Sequence, residues 1–301
     1  MTIVLGAYPA SPAPDSADFA EFHRLLTGLT RVSGLELPTH HLADPAARAV
    51  LAAVCPPTWR HVVTSFPETM LAMAADPVVG LASADETGRQ RAVDAARRLA
   101  DQIADFVARG GTVSRVLLHS APRGGSAEAL DRSLGELATF DWSGARLVIE
   151  HCDAAAPDHP AEKGFLGLAE ELTVLARHPE VGMLINWGRS ALEGRSVETP
   201  LAHLRSAEQA GKLAGLVLSG AAAIDNPFGA AWTDGHLPPA AMEAASLMDA
   251  AEMTRCLAEL PADALLGLKI RVSGDTDGIE IGERVRRFEQ ALDLVAQAGG
   301  R

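Results

Sequence analysis

Six polar or ionisable residues stand at the C-terminal ends of short apolar runs in this 301-residue sequence: Glu36, His119, Glu150, Asn186, Ser219 and Lys269. A glutamate and a lysine brought together away from water can do acid/base or electrostatic chemistry, because burial and the neighbouring charge move both pKa values. Lys269 is the most informative of the six. The chain has three lysines, Lys163, Lys212 and Lys269. Within 266–273, Leu268, Ile270 and Val272 share one parity, so Lys269, Arg271 and Ser273 share the other and face inward. A buried ammonium needs a carboxylate or an anionic ligand. The run 146–152 supplies a carboxylate, since Leu147 and Ile149 take the outward parity and leave Val148, Glu150 and Cys152 inward. Two readings stay open for Glu150 and Lys269: an ion pair that fixes the fold, or an acid/base or electrophile. A single polar strand end is commonly a satisfied core group, but six together would line one polar pocket. His40, His41 and His151 stand beside these ends and are expected at the surface or behind the pocket.

These residues need a scaffold that brings strand ends together. Eight β-rich runs, at 3–8, 35–39, 61–66, 115–120, 146–152, 182–187, 214–219 and 266–273, alternate with amphipathic stretches at 19–29, 46–54, 87–109, 127–138, 166–176, 201–210, 242–260 and 283–298. Eight alternations predict an α/β protein built as a single (β/α)8 TIM barrel over 1–301. The competing doubly wound sheet with a second domain lacks both a Gly-x-Gly-x-x-Gly turn and a linker. The long irregular segments 154–163 and 220–239 follow strands, on the face where barrel enzymes carry their active-site loops. The second is expected to close over the pocket and bring Trp232, Asp234 and His236 to it. Trp187 and Trp232 offer indole faces for the C–H side of a sugar ring, or simply pack the loops.

Composition narrows the function. Lys+Arg 26 against Asp+Glu 39 gives a net charge of −13, which repels phosphate backbones and anionic lipid, so neither nucleic acid nor a membrane is an expected partner. Hydrophobic residues at 48% and charged residues at 22% exclude a disordered chain. Three scattered cysteines without a Cys-x-x-Cys, no basic-then-apolar leader and no apolar run of spanning length lead to the expectation of a cytoplasmic protein with free thiols. The turn Arg123-Gly124-Gly125-Ser126 opens a helix and is a weak phosphate-binding candidate. Asp275-Thr276-Asp277-Gly278 lacks the rest of a calcium loop and is expected to be a turn.

The strand ends Gly34-Leu35-Glu36-Leu37, Leu117-Leu118-His119-Ser120 and Leu147-Val148-Ile149-Glu150-His151, with Thr233-Asp234-Gly235-His236-Leu237-Pro238, resemble the xylose-isomerase-like barrels. That superfamily holds sugar phosphate isomerases, epimerases and AP-endonuclease-like enzymes, and the resemblance covers nearly the whole chain. The opening Leu5-Gly6-Ala7-Tyr8-Pro9 is similar to a subgroup catalogued as a domain of unknown function. The resemblance implies divalent-metal ligands at Glu150, Asp234 and His236, with His119 matching a histidine used by some members. It also exposes departures. Asn186 stands for an acidic residue, Arg189 for a histidine, Ser219 for a histidine and Lys269 for a glutamate. A tightly held Mn, Mg or Zn ion at the standard place is therefore disfavoured. The Lys269 ammonium would take the metal's electrophilic role, while Arg189 and Arg271 would grip an anionic group.

The expected function is an enzyme on a sugar or sugar-derived acid that abstracts a proton next to a carbonyl: an isomerase, epimerase or lyase of carbohydrate metabolism. Glu150, Lys269, His119 and His236 would carry the chemistry. Glu36, Asn186, Trp187, Arg189, Ser219, Trp232, Asp234 and Arg271 would bind the substrate. The alternative is a degenerate barrel that binds a sugar or metabolite without turnover. A nucleic-acid repair enzyme lacks the metal set and the charge. Association into a homo-oligomer stays open.

Overall fold

The computed structural model describes residues 2–276 and 278–300. Eight parallel strands close into a barrel in sequence order: β1 Ile3–Gly6, β2 Val32–Pro38, β3 His61–Thr64, β4 Val113–Leu118, β5 Arg146–Glu150, β6 Gly182–Asn186, β7 Leu213–Leu218 and β8 Leu265–Lys269. The register of β8 on β1 sets Leu268 opposite Leu5 and Lys269 opposite Gly6. Strands covered on both faces are apolar almost throughout, which is why they appear in the sequence as continuous runs. Val4, Val62, Leu117, Val148, Leu184, Val217 and Leu265 form a separate buried cluster inside the barrel. Leu5, Leu35, Val63, Val116, Ile149, Ile185, Leu216 and Leu268 pack outward with the helices in the main core. Further toward the C-terminal end on the inward parity come Glu36, Glu150, Asn186 and Lys269. The parity expected for β5 and β8 holds.

Eleven helices surround the barrel among the described residues: α1 Asp18–Leu26, α2 Thr39–Ala43, α3 Pro45–Val54, α4 Phe66–Ala75, α5 Glu86–Ala108, α6 Ala127–Leu137, α7 Leu168–Leu175, α8 Trp187–Gly194, α9 Glu198–Gln209, α10 Ala250–Ala258 and α11 Ile281–Ala298. No described helix is long and apolar enough to cross a membrane. The structure corrects the sequence reading at several elements. The stretch 242–260 forms a helix only from Ala250, because 240–248 folds back on itself and on the β7 loop. There Ala240 N donates to Met248 O and Leu247 N to Ala221 O, and Asp249 then caps α10 by accepting from Glu252 N. Helices α2, α4 and α8 were not anticipated. In α4 no residue is fully buried, so its apolar residues show no one-sided stripe. In α8 the opening Trp187-Gly188-Arg189 carries no helical repeat. The strand expected over 266–273 ends at Lys269, so Arg271 and Ser273 lie in the loop beyond it.

Candidate active site at the closed barrel mouth

Glu36, His119, Glu150, Asn186, Ser219 and Lys269 come together at the C-terminal end of the barrel, each at most 4% exposed. The mouth is filled by their mutual contacts. Lys269 Nζ lies 2.7 Å from Glu36 Oε1 and 3.5 Å from Glu150 Oε1. Glu150 Oε1 also accepts from Asn186 Nδ2 at 2.9 Å, and its Oε2 accepts from His119 Nε2 at 2.9 Å and pairs with Arg189 Nη1 at 3.0 Å.

Local chain geometry explains the arrangement. Asn186 ends β6 and caps α8, its Oδ1 accepting from Arg189 N. The first turn of α8 then swings Arg189 back over the mouth, where Nε donates to Asp234 Oδ2 at 2.9 Å and the guanidinium lies 3.7 Å above the Phe66 ring. Asp234 also accepts from Lys163 Nζ at 3.1 Å, so the segments 154–163 and 220–239 are latched together above the site. His236 Nδ1 lies 2.8 Å from Ser219 Oγ and 3.2 Å from Asp234 Oδ1. Asp234 and His236 thus reach the site as anticipated.

Gly6 makes room for Lys269. A Cβ there would sit 2.9 Å from Lys269 Cβ and Cγ and 3.1 Å from a Glu36 oxygen. Gly6→Ala should cost about 1–3 kcal/mol by overpacking. A drop in Tm on thermal unfolding is the expected result, and an unchanged Tm would mean that Lys269 can move aside.

The charges set the protonation states. Burial works against ionised Glu150, but Arg189, Lys269 and His119 together outweigh it and hold its carboxyl well below the usual range. Burial pushes Glu36 up, Lys269 offsets part of this, and Glu150 adds to the rise. Burial also opposes the Lys269 ammonium, yet Glu150 and Glu36 raise its pKa and keep it charged. Burial lowers His119 despite Glu150, and brings His236 down to about 4 despite Asp234. Both imidazoles are therefore neutral near pH 7. Two carboxylates with pKa values driven apart beside one fixed ammonium are a suitable start for acid/base chemistry.

Several expected residues stand elsewhere. Trp187 is fully buried in the layer between barrel and helices, because the chain has already left β6 and turned into α8 at that point. Trp232 is half-buried with its ring 6.0 Å from the Arg195 guanidinium, beyond the far end of α8. Arg271 spends its guanidinium on Phe228 O and Gly274 O, tying the loops after β7 and β8 together. The turn 123–126 uses its own N–H groups internally, Gly124 to Gly164 O, Gly125 to Pro122 O and Ser126 to Ala82 O, so it offers no phosphate cradle. Of the segment 275–278, Asp277 lies outside the described residues. His40 is exposed and paired with Glu68, whereas His41 is buried against Phe19. His151 is fully buried between two glutamates and is not a surface residue.

Sequence reasoning missed Phe66, Lys163 and Tyr8, whose ring lies 5.8 Å from Lys269 Nζ. A lysine inside a long loop gives no periodic signal, although Lys163 is one of three in the chain. Next to the mouth a cavity of about 90 Å³ opens along Thr39, Ser65, Glu68, Leu118 and His119.

Residues 4–286 match the family described as a domain of unknown function, DUF4862. The chain belongs to this family. The DUF4862 chain is also 34% identical over 305 residues to uncharacterized protein STM3670 of Salmonella typhimurium strain LT2, with 98% of this chain and 97% of that protein covered. Among solved structures it resembles D-psicose 3-epimerase from Clostridium cellulolyticum H10, with TM-score 0.65, 14% identity and 99% of each chain covered. A xylose isomerase domain containing protein from Salmonella typhimurium LT2 gives TM-score 0.63 at 11% identity, with 98% and 97% covered. The fold is that of the xylose-isomerase-like TIM barrels. The mouth of this DUF4862 barrel does not fit a divalent metal at the place implied by the resemblance. Both Glu150 oxygens are already engaged, and the Lys269 ammonium and Arg189 guanidinium stand where a cation would have to sit beside them.

Proposed function

We propose that the protein is an enzyme acting on a sugar or sugar-derived acid by moving a proton next to a carbonyl, as an isomerase, epimerase or lyase. The observation that carries this reading is Lys269, a buried ammonium 2.7 Å from Glu36 and 3.5 Å from Glu150 at the end of the barrel where such enzymes work. A fixed positive charge in a dry site stabilises a developing enolate or alkoxide. Glu36, the carboxylate whose pKa is raised, is the better proton acceptor, since a general base works best when its pKa approaches the working pH. Glu150 holds Lys269 and Arg189 in place. His119 spends the one N–H of its neutral ring on Glu150, which leaves His236, also neutral at pH 7, as the imidazole to exchange a proton with the substrate oxygen. Arg189 Nη2 is buried without a hydrogen-bond partner among the described residues, leaving one donor for a carboxylate or hydroxyl. Entry requires the Lys163–Asp234 latch to open.

The test is incubation with ketoses, aldoses and sugar acids in D2O, reading deuterium at the carbon next to the carbonyl by mass spectrometry. Exchange that falls by about 10²–10³ in Lys269→Met is the expected result, the usual worth of one electrostatic stabiliser. A second reading, binding without turnover, is favoured by one observation: the mouth is closed, and its charged groups Glu36, Glu150, Arg189, Asp234 and Lys269 are paired with one another. It predicts thermal stabilisation by a sugar with no exchange in any substrate tried.

A further inference from the structure

We propose that His151, Glu193 and His203 form a divalent-metal site of zinc type on the flank of the barrel, distinct from the mouth. The three come from separate elements: the loop after β5, the last turn of α8 and the middle of α9. His151 Nε2 lies 2.9 Å from Glu193 Oε2, and His203 Nε2 lies 3.6 Å from Glu193 Oε1. One donor atom from each lies within 4.8 Å of the others. A tetrahedral ion with bonds of about 2.0–2.1 Å separates its donors by roughly 3.3 Å, which small adjustments of donors already within 4.8 Å of one another supply.

The hydrogen bonds around the donors point the same way. His151 Nδ1 donates to Glu171 Oε2 at 2.7 Å, and Glu171 Oε1 is fixed in turn by Ser120 Oγ at 2.5 Å. His203 Nδ1 is 3.0 Å from Ser190 Oγ. Each imidazole is thus anchored through Nδ1 and presents Nε2 to the same carboxylate, the carboxylate–histidine arrangement that orients metal ligands. With Nδ1 carrying its hydrogen, the Nε2 lone pair of His151 and the Glu193 oxygen are both acceptors and require a cation between them. A proton satisfies that contact but leaves His203 at 3.6 Å, too far for a hydrogen bond. An ion engages all three, releasing the proton as it binds. His151 is fully buried, whereas Glu193 at 19% and His203 at 13% side-chain exposure give an ion access and leave room for a water as fourth ligand. Such an ion would tie α8 to β5 and α9, and α8 is the helix that carries Arg189 into the mouth.

The experiment uses the full chain, purified without a histidine tag, stripped with chelator and titrated with Zn2+ and with Co2+. One Zn2+ per chain by elemental analysis, and the visible absorption of four-coordinate Co2+, are expected. Glu193→Gln and His203→Ala should each weaken uptake about 100-fold or more, while Glu150→Gln and Asp234→Asn should retain it. Two variants are used so that a misfolded His203→Ala chain still leaves the nearly isosteric Glu193→Gln to decide. No saturable uptake, uptake that survives Glu193→Gln, or uptake lost only in the mouth variants would each overturn the proposal.

Discussion

Acidification from pH 7 to 4 is expected to remove most of the stability of this protein. Burial brings His23, His61, His203 and His236 down to about 4 and His41 to about 3, against roughly 6.5 in an unfolded chain. The folded state then binds fewer protons than the unfolded one, so this stability is fully present above pH 6.5 and is lost as pH falls toward 4. At about 1.36 kcal/mol per pH unit between folded and unfolded pKa, one such histidine is worth about 3 kcal/mol at pH 4. Two or three of them match the roughly 5–15 kcal/mol that holds a typical domain folded. Glu150 and Asp234, also lowered, add loss of the same sign at still lower pH. His151 has the opposite sign. Burial opposes its charge, but Glu171 and Glu193 raise it to about 10, so its contribution is complete below pH 6.5 and fades as pH climbs through 10. Tm measured from pH 7.5 to 4 should fall steeply below 6.5. His41→Phe, which puts an apolar ring beside Phe19 and removes a nitrogen without a partner, should flatten that slope. A Tm that stays level down to pH 4.5 would contradict the buried neutral histidines.

The barrel was legible because each strand had to be apolar on both faces and then turn polar where it reached the mouth. Glu36, His119, Glu150, Asn186, Ser219 and Lys269 could be placed by that rule alone. The rule stops where a strand stops. It misplaced Trp187, which is already helical, and Arg271, which lies in a loop. Arg189 was expected to hold a ligand and instead binds Glu150 and Asp234 with most of its guanidinium. Nothing in the spacing of one helix reveals that its first turn folds back over a neighbouring strand. His151 escaped for a related reason. Its neighbour Glu150 was followed inward, while Glu171, Glu193 and His203 lie on three helices whose faces are set only by packing on the barrel.

Arg189→Met is expected to lower stability by about 3 kcal/mol, the lower end of the cost of breaking a buried pair. Arg189 is fully buried and shared between Glu150 and Asp234, so its removal withdraws one cation from two buried carboxylates at once. Neither is left bare, since Glu150 keeps Lys269, Asn186 and His119, and Asp234 keeps Lys163 and His236. That residual pairing places the loss near 3 rather than 5 kcal/mol. Thermal unfolding should show a fall in Tm on the order of 5 °C. Arg189→Lys should be intermediate, because an ammonium keeps one charge but loses the flat stack on Phe66 and cannot reach both carboxylates together. Adding Glu150→Gln to Arg189→Met should recover part of the loss, since exchanging both members of a buried pair for neutral groups is often nearly neutral. If Arg189→Met melts with the parent, the mouth gains nothing from its guanidinium, and Arg189 would be kept for a ligand rather than for the fold.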